Sequence, residues 1–143
     1  MADARRCPET IPRRAGRAVP PGALFGWADS HGNGKLWVGG LWPHGVIVAR
    51  GDFIQRDGSI YMKFGWWRKV AGALTITGRR LDAAAPPLTA SVPSGYGGSG
   101  FQASGVYFPT EGCWQVTGKV ASTSLSFVTF VIKKTHVGTP TAR

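Results

Sequence analysis

The stretch "MKFGWWRKV" (62–70) sets Trp66 beside Trp67 and follows them with Arg68 and Lys69. Indole rings next to cations are suited to stacking on sugar rings or bases and to holding anions. If the stretch is a strand, alternate side chains face opposite ways. Ile60, Met62, Phe64 and Trp66 then make a uniformly apolar face, while Tyr61, Lys63, Gly65 and Trp67 make a mixed one. Trp66 is therefore expected in the core and Trp67 on the surface. The predicted contact set joins Trp67 with Tyr61, Arg68, Arg79 and Arg80, and with Tyr96 from the loop "PSGYGGSG" (93–100). Arg79 or Arg80 reaches the Trp67 ring only if the strand "ALTITGRRL" (73–81) pairs with this one; a bulge is expected at Gly78, where Arg80 breaks the alternation. The competing reading covers Trp67 with the N-terminal arm or a loop.

Other chemistry finds less support. Outside the arm the carboxylates are Asp29, Asp52, Asp57, Asp82 and Glu111, and no two stand out as an acid–base pair. Asp57 and Asp82 sit in turn contexts that Asx hydrogen bonding explains. "GGSGF" (97–101) lacks the closing glycine of a nucleophile elbow. The glycine-rich loop has no following Lys-Ser/Thr, so it is not a phosphate cradle. His31, His44 and His136 are too scattered for a metal pair. "DSHGNG" (29–34) copies the first half of a calcium loop, but the position that needs a bidentate Glu is Gly40. No cofactor, no metal and no enzymatic activity are expected.

The elements that must position these residues are short strands. The 143 residues suit one domain with a real core, and 21 Gly and 10 Pro lie scattered between short apolar runs, as turns between strands do. Runs at 35–42, 45–50, 59–67, 73–81, 88–92, 103–108, 113–120 and 124–134 give seven or eight strands, the last two a hairpin. That spacing predicts an all-β, immunoglobulin-like antiparallel sandwich over 24–134. An irregular basic arm over 1–23 and a tail over 135–143 flank it. "TEGCWQV" (110–116) puts Trp114 and Val116 on one face and Cys113 on the other, a structural arrangement.

No segment approaches 18 uninterrupted apolar residues, so no membrane span is expected. The net charge is +10, but residues 1–19 and 133–143 carry +6 of it. Basic tails attract polyanions without specificity and do not define a nucleic-acid fold. The two cysteines, Cys7 and Cys113, make either one bridge in an oxidising compartment or two free thiols in the cytoplasm. "MADARRCPET" has no apolar h-region, so an export leader is expected to have been removed, with cytoplasmic residence as the alternative.

"CPET" with "PPG", "NGKLWVGGLWPHGVIV", "DGSIYMKFGWW", "LTITGRRLDAAAPPL", "SGYGGSGFQASGVYFPTEGCWQVTGKV" and "SLSFVTFVI" together resemble a group of small secreted or lipid-anchored bacterial proteins. The resemblance spans about residues 7–132. It implies export, and with it a Cys7–Cys113 bridge, but it brings no functional residue with it. "GCWQV" is similar to the last strands of immunoglobulin-like extracellular domains. The functional expectation is an exported, non-enzymatic binding or interaction module with an extracellular glycan or protein as partner. A carbohydrate-binding module and a nucleic-acid-binding basic β protein are the alternatives.

Overall fold

A computed structural model describes residues 7–12 and 30–134. Nine strands form two sheets: β1 (Ser30–Gly32), β2 (Leu36–Gly39), β4 (Ile60–Arg68), β7 (Gly100–Phe108) and β6 (Thr89–Ser91) in one, and β3 (Val46–Ala49), β9 (Thr123–Lys133), β8 (Gly112–Val120) and β5 (Leu74–Arg80) in the other. The orders β2-β4-β7-β6 and β9-β8-β5 reproduce the ABED and GFC layers of an immunoglobulin sandwich, with β1 added at the edge of the first sheet and β3 at the edge of the second. One pairing is parallel rather than antiparallel, β3 on β9. Its cause is the connection after β2: Gly40 and Gly45, at φ of 85° and 72°, turn the chain across to the opposite sheet, so 35–42 and 45–50 are not partners in one layer. Among the described residues the only helical element is the 3-10 turn Gly51–Phe53, and no helix is long and apolar enough to cross a membrane.

Strand parity fills the space between the layers. Ile60, Met62, Phe64 and Trp66 of β4 pack with Val106 and Phe108 of β7 against Trp114, Val116 and Phe127 of the other sheet. Trp66, fully buried, reaches across to Gly118, where an added Cβ would come within 2.5 Å of the indole. Its Nε1 donates to Ser104 Oγ at 3.0 Å, and that hydroxyl donates on to the Phe64 carbonyl at 2.8 Å. The indole N–H is thus satisfied inside the core, which is what lets so large an amphipathic ring be sealed there.

The disulfide joins Cys7 to Cys113. Cys113 points away from Trp114, so the bridge lies on the outer side of the four-stranded sheet in a small cluster with Phe130, Val46 and Val128. The arm residues 7–12 are held there by the bridge and by Thr10, whose amide donates to the Val128 carbonyl and whose hydroxyl accepts from the Val128 amide. The rest of the predicted arm, residues 1–6 and 13–23, and the tail 135–143 lie outside the described residues. Asp29 of the calcium-like stretch does too. Within that stretch Asn33 Oδ1 accepts from the amides of Lys35 and Leu36, and its Nδ2 donates to Ser124 O: a turn tied to β9.

Candidate functional site

Along β4 the burial alternates as the pattern predicts: Trp66 is fully buried and Trp67 half-buried on the opposite, outer face of the five-stranded sheet. Register places Trp37, Trp67 and Phe101 in one row across β2, β4 and β7, and Tyr61 opposite Tyr107 six residues further along. Between them come Gly65, Ala103, Gly105 and Lys63. The aromatic rings lean inward over the small residues. An added Cβ on Gly65 would come within 2.8 Å of Phe101 Cε1, and one on Gly105 within 2.5 Å of Tyr61 Cε1. Phe101 thus lies across β4, and Tyr61 across β7, in consecutive rows about 7 Å apart at the usual strand rise. Tyr107 meets the Tyr61 ring with centroids 4.7 Å apart, and Tyr96 meets Phe101 edge-on at 5.7 Å.

A strip of four rings therefore crosses this face. Five large hydrophobic side chains are exposed among the described residues, and three of them, Phe101 (43%), Tyr96 (39%) and Tyr107 (36%), belong to the strip. Lys63 is the one charged side chain on the outward face of these five strands, and no carboxylate stands beside it in the strands. Beyond Tyr107 a shallow groove of about 450 Å³ continues, walled by Pro86, Pro87 and Pro109, with Asp57 at its edge. Hydrogen bonds from Ser59 Oγ (2.7 Å) and the Ser59 amide (2.9 Å) hold the Asp57 carboxyl below the usual aspartate pKa.

The three predicted arginines do not reach this surface. Arg68 shares Trp66's parity, so it points between the sheets and is only 2% exposed. There it donates from Nη1 to the carbonyl of Gly72 (2.9 Å), and from Nη2 to those of Tyr96 (3.1 Å) and Ser99 (3.2 Å). Its Nε adds a longer bond to Gly100. Burial pushes its pKa down from the ordinary arginine value, yet a guanidinium keeps its charge in proteins. Arg68 is thus a positioning residue: it ties down the glycine-rich loop that carries Tyr96 and leads into Phe101.

Arg79 and Arg80 sit on β5, which pairs with β8 in the other sheet and not with β4. The β5–β8 register runs without interruption through Gly78, so there is no bulge. Gly78 is required instead because the Leu88 side chain lies on it, where a Cβ would be. Arg79 is exposed on that second sheet. Arg80 donates from Nε to Asp82 Oδ1 at 2.7 Å, and the Cys113 amide donates to the same oxygen at 3.0 Å. Burial raises the Asp82 pKa, but the Arg80 hydrogen bond, the Cys113 amide and the Arg80 charge outweigh it and leave it lowered.

Of the predicted set, the outer face brings together Tyr61, Trp67 and Tyr96, and it adds Phe101, Tyr107 and Lys63. The sequence reading missed Phe101 and Tyr107. "GFQASGVYF" alternates weakly, with Gln102 and Ser104 on the inner face, and its signal is the pair of aromatics six apart with Ala103 and Gly105 between. Among the described residues no group of His, Cys, Asp and Glu is placed to hold a metal ion. The chain matches no protein-family model, and no curated protein matches it.

Proposed function

We propose that the chain is an extracytoplasmic, non-enzymatic binding module whose contact surface is the outer face of the five-stranded sheet, centred on Tyr61, Phe101, Tyr107 and Tyr96 beside Trp67. The observation that carries this reading is the gathering of exposed aromatic rings on one face, while the other large apolar side chains among the described residues are mostly buried. Grouped exposed aromatics rimmed by polar residues are characteristic of contact sites, whereas scattered ones are ordinary. Export is supported by the Cys7–Cys113 bridge, since disulfides persist in oxidising compartments, and by the resemblance to secreted and lipid-anchored bacterial proteins.

The test is retention on bacterial envelope material by the chain and by the double variant Phe101→Ala/Tyr107→Ala. Both substituted side chains are exposed, so the variant is expected to melt with the parent. At matched melting temperature, retention should fall about tenfold or more, the loss of roughly 1.4 kcal/mol of contact energy. Equal retention of parent and variant refutes the reading.

A further inference from the structure

We infer that the ligand of this face is an acidic polysaccharide, lying along the ring strip with its sugar rings on Phe101 and Tyr61 and a carboxylate on Lys63. The inference rests on the binding-module reading and names the ligand class for that surface. Three observations carry it. First, the strip is a shelf: the outward positions between the rings are Gly65, Ala103, Gly105 and the flexible side chain of Lys63, and Thr89 and Ser91 stand beside them on β6. No branched aliphatic side chain rises among them, so a flat, elongated ligand can run from the Phe101 row to the Tyr107 row, roughly 20 Å at the strand rise. Second, the exposed apolar surface of this face consists of aromatic rings, Phe101 and Tyr61 set over glycines, and three of the four rings are tyrosines, Tyr61 and Tyr107 about 4.7 Å apart, whose hydroxyls suit a hydroxyl-rich ligand.

Third, charge selects within that class. Lys63 is exposed in the row next to Gly65, beside the Tyr61 ring over Gly105, and has no ion-pair partner among the described residues. A lone ammonium amid rings complements a ligand bearing an occasional carboxylate. A single-stranded nucleic acid presents a phosphate with every base, and its binding grooves track that backbone with a run of cations. One lysine on the face of five strands does not make such a groove. The excess positive charge of the whole chain favours polyanions generally and so raises the encounter rate of an acidic chain.

The experiment uses the full chain on immobilised polygalacturonate, alginate and hyaluronate, on methyl-esterified polygalacturonate, and on oligo(dT), each at low and at 0.3 M salt. Salt at that level strips the non-specific attraction of the basic tails, leaving contacts held at short range. Retention at 0.3 M salt on at least one acidic polysaccharide is expected. It should weaken about tenfold in Phe101→Ala and in Tyr61→Ala. Lys63→Gln should lower affinity for the acid form severalfold and leave the ester unaffected. Gly105→Ala, which displaces the Tyr61 ring without touching a ligand contact, should weaken retention as Tyr61→Ala does. The inference is overturned if no polysaccharide is retained at 0.3 M salt, if acid and ester are held equally, if the ring variants bind as the parent does, or if oligo(dT) alone is retained. If any of these occurs while envelope retention still depends on Phe101 and Tyr107, the ligand class is wrong and the contact face stands. If envelope retention is also independent of them, both readings fall.

Discussion

Replacing Arg68 by Met removes the group that makes the most hydrogen bonds to the glycine-rich loop from beneath, leaving Gln102, which donates to Pro93 O at 2.9 Å. The guanidinium makes three good hydrogen bonds, to Gly72, Tyr96 and Ser99, and two longer ones at 3.3 and 3.5 Å to Gly100 and Phe101. Hydrogen bonds to charged groups contribute about 1.5–3 kcal/mol each. Against them stands the cost of holding a charge out of water with no carboxylate paired to it among the described residues, several kcal/mol for a buried ion. The loop carbonyls themselves recover water once released, because residues 93–99 are exposed. The net loss is about 3 kcal/mol, which lowers the melting temperature by roughly 10–15 °C for a domain of this size. Arg68→Lys should recover less than half of it, since an ammonium cannot span the spread of carbonyls that the planar fork reaches. Thermal melting gives the global figure. Hydrogen exchange at the Gly72 amide, which donates to Gly98 O at 2.8 Å, reports the loop alone. A melting shift below about 3 °C with unchanged exchange at Gly72 would refute the argument that Arg68 organises this loop. Because the loop carries Tyr96 and leads into Phe101, the same variant should bind acidic polysaccharide more weakly than its stability loss explains.

Three further outcomes are expected. Reducing the Cys7–Cys113 bridge, which spans 106 residues, should cost at most about 4–5 kcal/mol on the chain-entropy account; melting with and without reductant, alongside intact mass, checks it. Ala121, in the two-residue turn between β8 and β9, holds φ at 54°, a left-handed conformation costly for an L side chain. Ala121→Gly should therefore stabilise by about 0.5–1 kcal/mol, and an unchanged or lower melting temperature would contradict that. Asp82's folded pKa is lowered, so the stability it contributes is complete above the unfolded aspartate value and disappears as pH falls through the lower folded one. Arg80→Ala removes the side-chain hydrogen bond and the charge that lower it, and leaves the Cys113 amide to oppose alone the burial that raises it. Acid unfolding should then begin at higher pH than in the parent, and the Asp82 carboxyl should titrate higher by NMR.

The parity of β4 was legible in "IYMKFGWW" because one face is apolar from Ile60 to Trp66, and a two-residue period leaves no freedom once that face is buried. The terminal hairpin and the turn role of Asp57 were legible for similar local reasons, whereas the bridge was expected from the count of two cysteines and from what the resemblance implies. Strand neighbours were not. The placement of Arg79 and Arg80 depends on β5 crossing to the other sheet, a choice made by the topology of the whole sandwich. Arg68 was misplaced by its type: a cation at an inward position reads as surface until the carbonyls of a loop some 30 residues away are known to converge on it. Phe101 and Tyr107 escaped because their value as a surface lies in what Gly65 and Gly105 leave open on the neighbouring strand, which a single strand's pattern does not contain.

The two cysteines stand 106 residues apart, and these 143 residues contain no third. The Cys7 thiol therefore has only one thiol partner it can capture among these residues. Biogenesis demands an electron acceptor but no isomerase to correct mistakes. In a host without shuffling machinery, yield should depend on oxidant supply alone.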